Sequence, residues 1–372
     1  MKIRYIALTF ICLVTSLWLP NPVHAQNQLN VITNSADIRF PTAIDFRLHA
    51  SNSVPVNDVR LRYTIAAITL AKVTSESYVK LVPGTDVDVE WTMDMRRTGG
   101  LPPGTKITYW WVLTDKDGKT MQTDPIVMQY DDGRHRWPSV TDGQVTIYWY
   151  SGADQFAKEL LEIAKTSIKN MGGETGLTLE YPINIYLYAS YDDLKGAMVF
   201  PQDWVGAVSY MDLQTVIIGV PAYNTEYSKV ALRHELNHQV TRQLTNNPYC
   251  DIPVWLSEGL AVYAEGDTSY TRTSALKEPT EKNALISVRS LCSPFSTDGD
   301  LAKQSYAESY SIVEFLISKY GQNKMLELLG AFKQGSTLDD ALLKVYQFDT
   351  DGLNKLWRKY VYSIFGRIDN TQ

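Results

Sequence analysis

The stretch Arg233-His234-Glu235-Leu236-Asn237-His238-Gln239 carries residue types at a spacing that could do chemistry. Two histidines four apart lie on one face of a helix, so both imidazoles can reach one divalent ion. Glu235, next to the first histidine, would lie beside water activated at such an ion, the H-E-x-x-H arrangement. A catalytic zinc site takes three protein ligands and leaves its fourth position to water. The third ligand expected here is Glu258, twenty residues beyond His238 within Trp255-Leu256-Ser257-Glu258-Gly259-Leu260-Ala261-Val262-Tyr263. The remaining histidines, 24, 49 and 135, all precede the motif, so no second imidazole cluster competes downstream.

Helices must position these groups. Leu232, Leu236, Val240 and Leu244 recur every fourth residue, the spacing of one apolar stripe, and point away from His234. Asn224 or Thr225 could cap the start of this helix. Pro253 suits the first turn of a second helix bearing Glu258, and Gly266 suits its end. Glu265 lies seven residues after Glu258, two turns along the same face. It reads either as an orienting group for a ligand or, the favoured reading, as a solvated helix end.

His-Glu-Leu-Asn-His followed by Trp-Leu-Ser-Glu-Gly-Leu-Ala-Val-Tyr resembles the gluzincin metallopeptidases, and more narrowly the bacterial peptidase MA-like proteins. Matching segments run from about 145 to 357 and include Asn247-Pro248-Tyr249 and Ser305-Tyr306-Ala307-Glu308-Ser309-Tyr310. The resemblance implies Zn2+, a two-lobed thermolysin-like catalytic domain and hydrolysis of peptide bonds in a peptide or protein substrate. It implies that Glu235 is the general base. It also implies a tyrosine downstream of the third ligand as oxyanion donor: Tyr306, with Tyr310 one turn on as the rival. It further implies an edge strand, 213–219, that pairs with extended substrate as in an endopeptidase. The acidic residue that thermolysin-like enzymes carry three or four positions after the third ligand is missing, since Ala261 and Val262 stand there.

At 372 residues the chain is long enough for two or three domains. A formal charge of −6 with no Lys/Arg run argues against a nucleic-acid partner. Residues 1–25 read as a signal peptide: Lys2 and Arg4, an apolar core over 6–18, and Val23-His24-Ala25 as a cleavage site. Cleavage would take the charge from −6 to −8 and leave no transmembrane segment, so the mature chain is expected to be secreted or in the cell envelope. Cys250 and Cys292 then remain, either bridged or as two buried thiols.

The expected fold class is multidomain. From 29 to 131 the pattern alternates in short runs, Val87-Asp88-Val89-Glu90-Trp91 for example, separated by Pro102-Pro103-Gly104 and Asp117-Gly118. That predicts an all-β immunoglobulin-like sandwich whose partner the sequence leaves unknown. A charged linker, 132–143, follows, with His135 as a solvated residue. The zinc metallopeptidase domain, 144–372, is α+β: strands over 145–150, 182–189 and 213–219, helices over 154–170 and 191–198, the two motif helices, then a mostly helical C-terminal lobe. Its helices are expected over 302–319, 322–333, 338–346 and 350–365. An exported surface binding protein with a structural or inactive zinc site is the alternative function.

Overall fold

A computed structural model describes residues 29–68, 71–172, 178–203, 205–220, 225–249, 251–266 and 274–366. Residues 1–25, expected to be a signal peptide, and Asn224 and Cys250 lie outside the described residues, and with them the expected cleavage site and the question of a Cys250–Cys292 bridge.

The N-terminal region is all β: β1 (Asn30–Arg39), β2 (Ala43–Ile65), β3 (Ser75–Val79), β4 (Gly84–Asp94), β5 (Thr105–Asp115), β6 (Thr120–Gln122) and β7 (Ile126–Tyr130). The alternating stretches 44–48 and 59–65 lie on one long strand, β2. Its first half pairs with β1 and β4 and its second half with β3 and β5. Alternate residues of both halves, Ile44, Phe46 and Leu48 then Val59 and Leu61, enter one core with Val87, Val89, Tyr109 and Trp111. The turns fall where glycine permits a positive φ, at Gly104 (82°) and Gly118 (81°).

A second, five-stranded sheet has the order β11-β12-β10-β9-β8. It comprises β8 (Ser139–Asp142), β9 (Val145–Trp149), β10 (Ile183–Tyr188), β11 (Ala207–Tyr210) and β12 (Thr215–Gly219). The three central strands are parallel, and β8 and β11 are antiparallel edges. A crossover helix, α1 (Asp154–Met171), joins β9 to β10, and α2 (Tyr191–Lys195) follows β10. Alternation sorts the faces. Ile183, Ile185 and Leu187 pack under α1 and the motif helix, while Tyr186 and Tyr188 face an aromatic cluster with Trp137.

The stretch 132–143 is tied to this sheet. Asp132 is buried, paired with Arg134 at 2.6 Å, and accepts from the Tyr188 hydroxyl at 3.0 Å. His135, expected to be solvated, stacks on Tyr150 with ring centroids 3.7 Å apart. An aromatic neighbour on β9's C-terminal side offers a flat apolar surface that the charged composition around His135 does not reveal.

The motif helix α3 (Thr225–Thr245) and α4 (Val254–Ala264) come next. Then follow α5 (Lys277–Glu281), α6 (Gly299–Tyr320), α7 (Gln322–Lys333), α8 (Leu338–Tyr346) and α9 (Thr350–Phe365). The later helices start on side-chain caps: Asp298 for α6, Thr337 for α8 and Asp349 for α9. They share a core of Trp255, Leu256, Ile312, Leu316, Leu328, Phe332 and Trp357. So α3 lies between two cores. Leu232, Leu236 and Val240 bury against the sheet, and Leu244 touches both.

One expectation is corrected. The strand before α3, β12, is interior, flanked by β11 and β10. The free edge is β11, four residues without a clear apolar alternation.

Candidate metal centre

Helix geometry brings His234 and His238 together, and α4 carries Glu258 to them. The two Nε2 atoms are 3.3 Å apart, and Glu258 Oε2 lies 3.6 Å from His234 Nε2 and 3.7 Å from His238 Nε2. One ligand atom from each of the three falls within 4.8 Å of the others, a group that could hold a metal ion. Packing fixes α4 in this register. A Cβ on Gly259, beside Glu258, would overlap the Ser309 carbonyl of α6, so only glycine lets the two helices come so close.

The far sides of both rings are held. His234 Nδ1 lies 2.8 Å from Glu265 Oε1 and His238 Nδ1 3.1 Å from Ser257 Oγ. The Glu265 carboxylate oxygen accepts from the Nδ1 N–H, which fixes the ring and presents Nε2 towards Glu258. Glu265, read from sequence as a solvated helix end, is thus the orienting group, its side chain 10% exposed. Its two-turn spacing from Glu258 was the available signal. Its role depended on α4 crossing α3 at its C-terminal end, which no local pattern reports.

The donor chemistry fits a divalent cation. Among the described residues no Lys or Arg side chain forms an ion pair with Glu235 or Glu258, although both are largely enclosed. Burial alone would lower the His234 pKa, but Glu258 and Glu265 on either side lift it to about 10. Burial drops His238 to about 4. Burial would raise Glu258, yet the two imidazoles pull it below the usual carboxylate range. The site therefore favours positive charge at the point where the three donors meet.

Glu235 opens onto a cleft of about 700 Å³ bounded by Tyr227, His234, Glu265, Lys303 and Tyr306. Burial pushes its carboxyl up to about 7, and the Ser209 backbone N–H facing it offsets part of that rise. Tyr306, on α6, is half-buried in the same cleft and packs edge-on against Phe295. Tyr310 turns elsewhere: its ring stacks on Tyr263 and its hydroxyl lies 3.1 Å from Glu314 Oε1. A second hollow of about 350 Å³ lies on the His238 side, where Arg242 is paired with Asp212 and Asp251.

The edge strand is tethered to α3 by Gln239, a residue sequence reading passed over. Its Nε2 donates to Ser209 Oγ at 2.8 Å and to the Thr215 carbonyl at 3.2 Å. Gly219 N–H donates to the Gly206 carbonyl, so β11 spends alternate residues on β12 and turns the backbone of Ala207 and Ser209 towards the cleft.

The family model of the Peptidase MA superfamily matches residues 163–363, more than half of the chain. The chain belongs to the Peptidase MA superfamily. All the residues of the candidate metal centre lie inside the matched span, so the superfamily's peptidase character and the His/His/Glu group coincide. No curated protein matches the chain. Solved structures are similar only weakly. Catalytically inactive OgpA from Akkermansia muciniphila, in complex with an O-glycopeptide substrate, is 9% identical with a TM-score of 0.23, covering 29% of this chain and 30% of that one. BhCBM56 is 11% identical with a TM-score of 0.19, covering 27% and 98%. A polysaccharide deacetylase from Bacillus cereus is 12% identical with a TM-score of 0.22, covering 46% and 54%. Likeness at this level carries no argument about this Peptidase MA superfamily member. Among its described residues no helix is long and apolar enough to cross a membrane.

Proposed function

We propose that the chain is a secreted zinc peptidase of the gluzincin type, acting as an endopeptidase. His234, His238 and Glu258 hold the ion and Glu235 is the general base. The observation that carries this reading is the convergence of the three donors, with Glu235 on the cleft side of the same helix. Nitrogen and oxygen ligands with one carboxylate suit zinc. Zinc, when bound, supplies a Lewis acid that acidifies water and polarises a carbonyl.

The chain's own groups do the rest. Glu235, poised near neutrality by burial, takes the proton of the attacking water and hands it to the leaving amine. The Tyr306 hydroxyl, its pKa pushed up to about 12, stays protonated and donates to the carbonyl oxygen as negative charge gathers there. Ala207 and Ser209 offer backbone groups to an extended peptide, which would gain a strand's pairing along β11. Pairing on both sides of the scissile bond favours internal cleavage.

The proposed organisation is a signal peptide over 1–25, an immunoglobulin-like domain over 29–131, a connector over 132–143 and a thermolysin-like catalytic domain from 144 onward. Glu235→Gln tests the reading. The variant should bind metal as the parent does and lose peptide hydrolysis by at least about a hundredfold, measured on a quenched peptide library. Undiminished hydrolysis by that variant would remove the proposal.

A further inference from the structure

Behind the motif helix lies a third cavity, of about 660 Å³, between α1, α3, α4 and α7. Its size is that of a small-molecule site. Ile163, Leu244, Leu260, Met325 and Leu329 give it apolar walls. On the α3 wall, Arg233 and Asn237 stand four apart and therefore on one face.

These two donors are poorly matched. Among the described residues Arg233 makes one hydrogen bond, from Nη1 to the Glu265 carbonyl at 3.4 Å, and no carboxylate pairs with it. Asn237 is 4% exposed, yet its Nδ2 donates only to the thioether sulfur of Met171, a weak acceptor, while its Oδ1 accepts from Thr241. The acidic residues on the rim are engaged elsewhere: Glu159 with Lys229 at 2.6 Å, Glu162 with Lys165 at 3.0 Å, and Glu265 with His234. Arg233 is the one charged side chain on the α3 wall of this space, and no carboxylate pairs with it among the described residues.

We propose that this cavity binds an apolar monocarboxylate, its headgroup taken by Arg233 and Asn237 and its hydrocarbon by the walls. A guanidinium and an amide N–H suit two carboxylate oxygens, and the interior rewards an unbranched or aromatic tail. The site stands apart from the peptidase reading, because none of its recognition groups is a metal donor. It is nonetheless coupled to the metal centre. Glu265 borders both cavities, holding His234 with its side chain and Arg233 with its carbonyl. A carboxylate drawing Arg233 away would loosen the group that orients His234.

The test is calorimetric titration of the full mature chain with octanoate, octan-1-ol and octylammonium, in the presence and absence of metal. Octanoate should bind in both states, more tightly than octanol, and octylammonium should be excluded. In Arg233→Gln, octanoate should bind about tenfold to a hundredfold more weakly, the worth of a charge-assisted contact, with octanol unchanged. Equal binding of the three probes, no binding at all, or undiminished octanoate binding in the variant overturns the proposal. So does binding that disappears with the metal, which would put octanoate on the ion. If Arg233→Gln does not fold, the comparison of headgroups on the parent chain decides alone.

Discussion

Glu265 is the residue through which the metal site is most open to graded perturbation. Its Oε1 lies 2.8 Å from His234 Nδ1, whereas the corresponding partner of His238 is the neutral Ser257 hydroxyl at 3.1 Å. Partners of this kind are worth roughly ten- to a hundredfold in metal affinity, or about 1.4 to 2.8 kcal/mol. Glu265→Gln keeps an acceptor oxygen and loses the charge, so about tenfold is expected. Glu265→Leu leaves a buried N–H without an acceptor and should approach a hundredfold. Ser257→Ala removes a neutral bond and should cost only a few-fold, about 1 kcal/mol or less. With Glu258, Glu265 also raises the pKa of the His234 imidazolium, and the proton on its Nε2 competes with the ion. The penalty of removing Glu265 is therefore smallest at low pH and grows as the pH rises towards 10. Competition titration against a chromophoric chelator at pH 7 and pH 9 reads both the order and the trend. Three variants within twofold of the parent at pH 9, or Ser257→Ala costing more than Glu265→Leu, would refute the reasoning.

Two other expectations follow from buried groups. Tyr306→Phe should lower kcat by about ten- to a thousandfold with KM nearly unchanged, since the hydroxyl is assigned to charge that develops only during reaction; equal kcat in steady-state assays would contradict it. Glu308, fully buried on α6, has its carboxyl pushed up to about 7 by burial, against the pull of Gln304, the Ile286 N–H and Arg358. Its folded pKa exceeds the ordinary 4.5, so its contribution to stability is complete below about pH 4.5 and is lost as pH rises through 7, by about 3 kcal/mol. Urea unfolding at pH 5 and pH 8 should show that loss in the parent and a flatter profile in Glu308→Gln.

The ligand helix was legible because its chemistry and packing obey one period: histidines four apart on one side, Leu232, Leu236 and Val240 on another. The C-terminal helices were legible for the same reason, with expected bounds of 302–319 and 350–365 against the observed Gly299–Tyr320 and Thr350–Phe365. What escaped depends on tertiary placement. β11 is too short for its alternation to register, and its edge position exists only because β12 inserts between it and β10. Glu265 and Gln239 look like ordinary polar helix residues until α4 and the sheet are brought to them. Tyr306 and Tyr310 share a helix face in sequence, and the neighbours Tyr263 and Glu314 set their surroundings apart.

X-ray absorption at the zinc edge of the purified mature chain addresses the central claim most directly. The account predicts one zinc per chain with two imidazole nitrogens and carboxylate oxygen at about 2.0 to 2.2 Å, and loss of that zinc in His234→Ala and Glu258→Ala. A sulfur shell, or zinc retained unchanged in both variants, would contradict it.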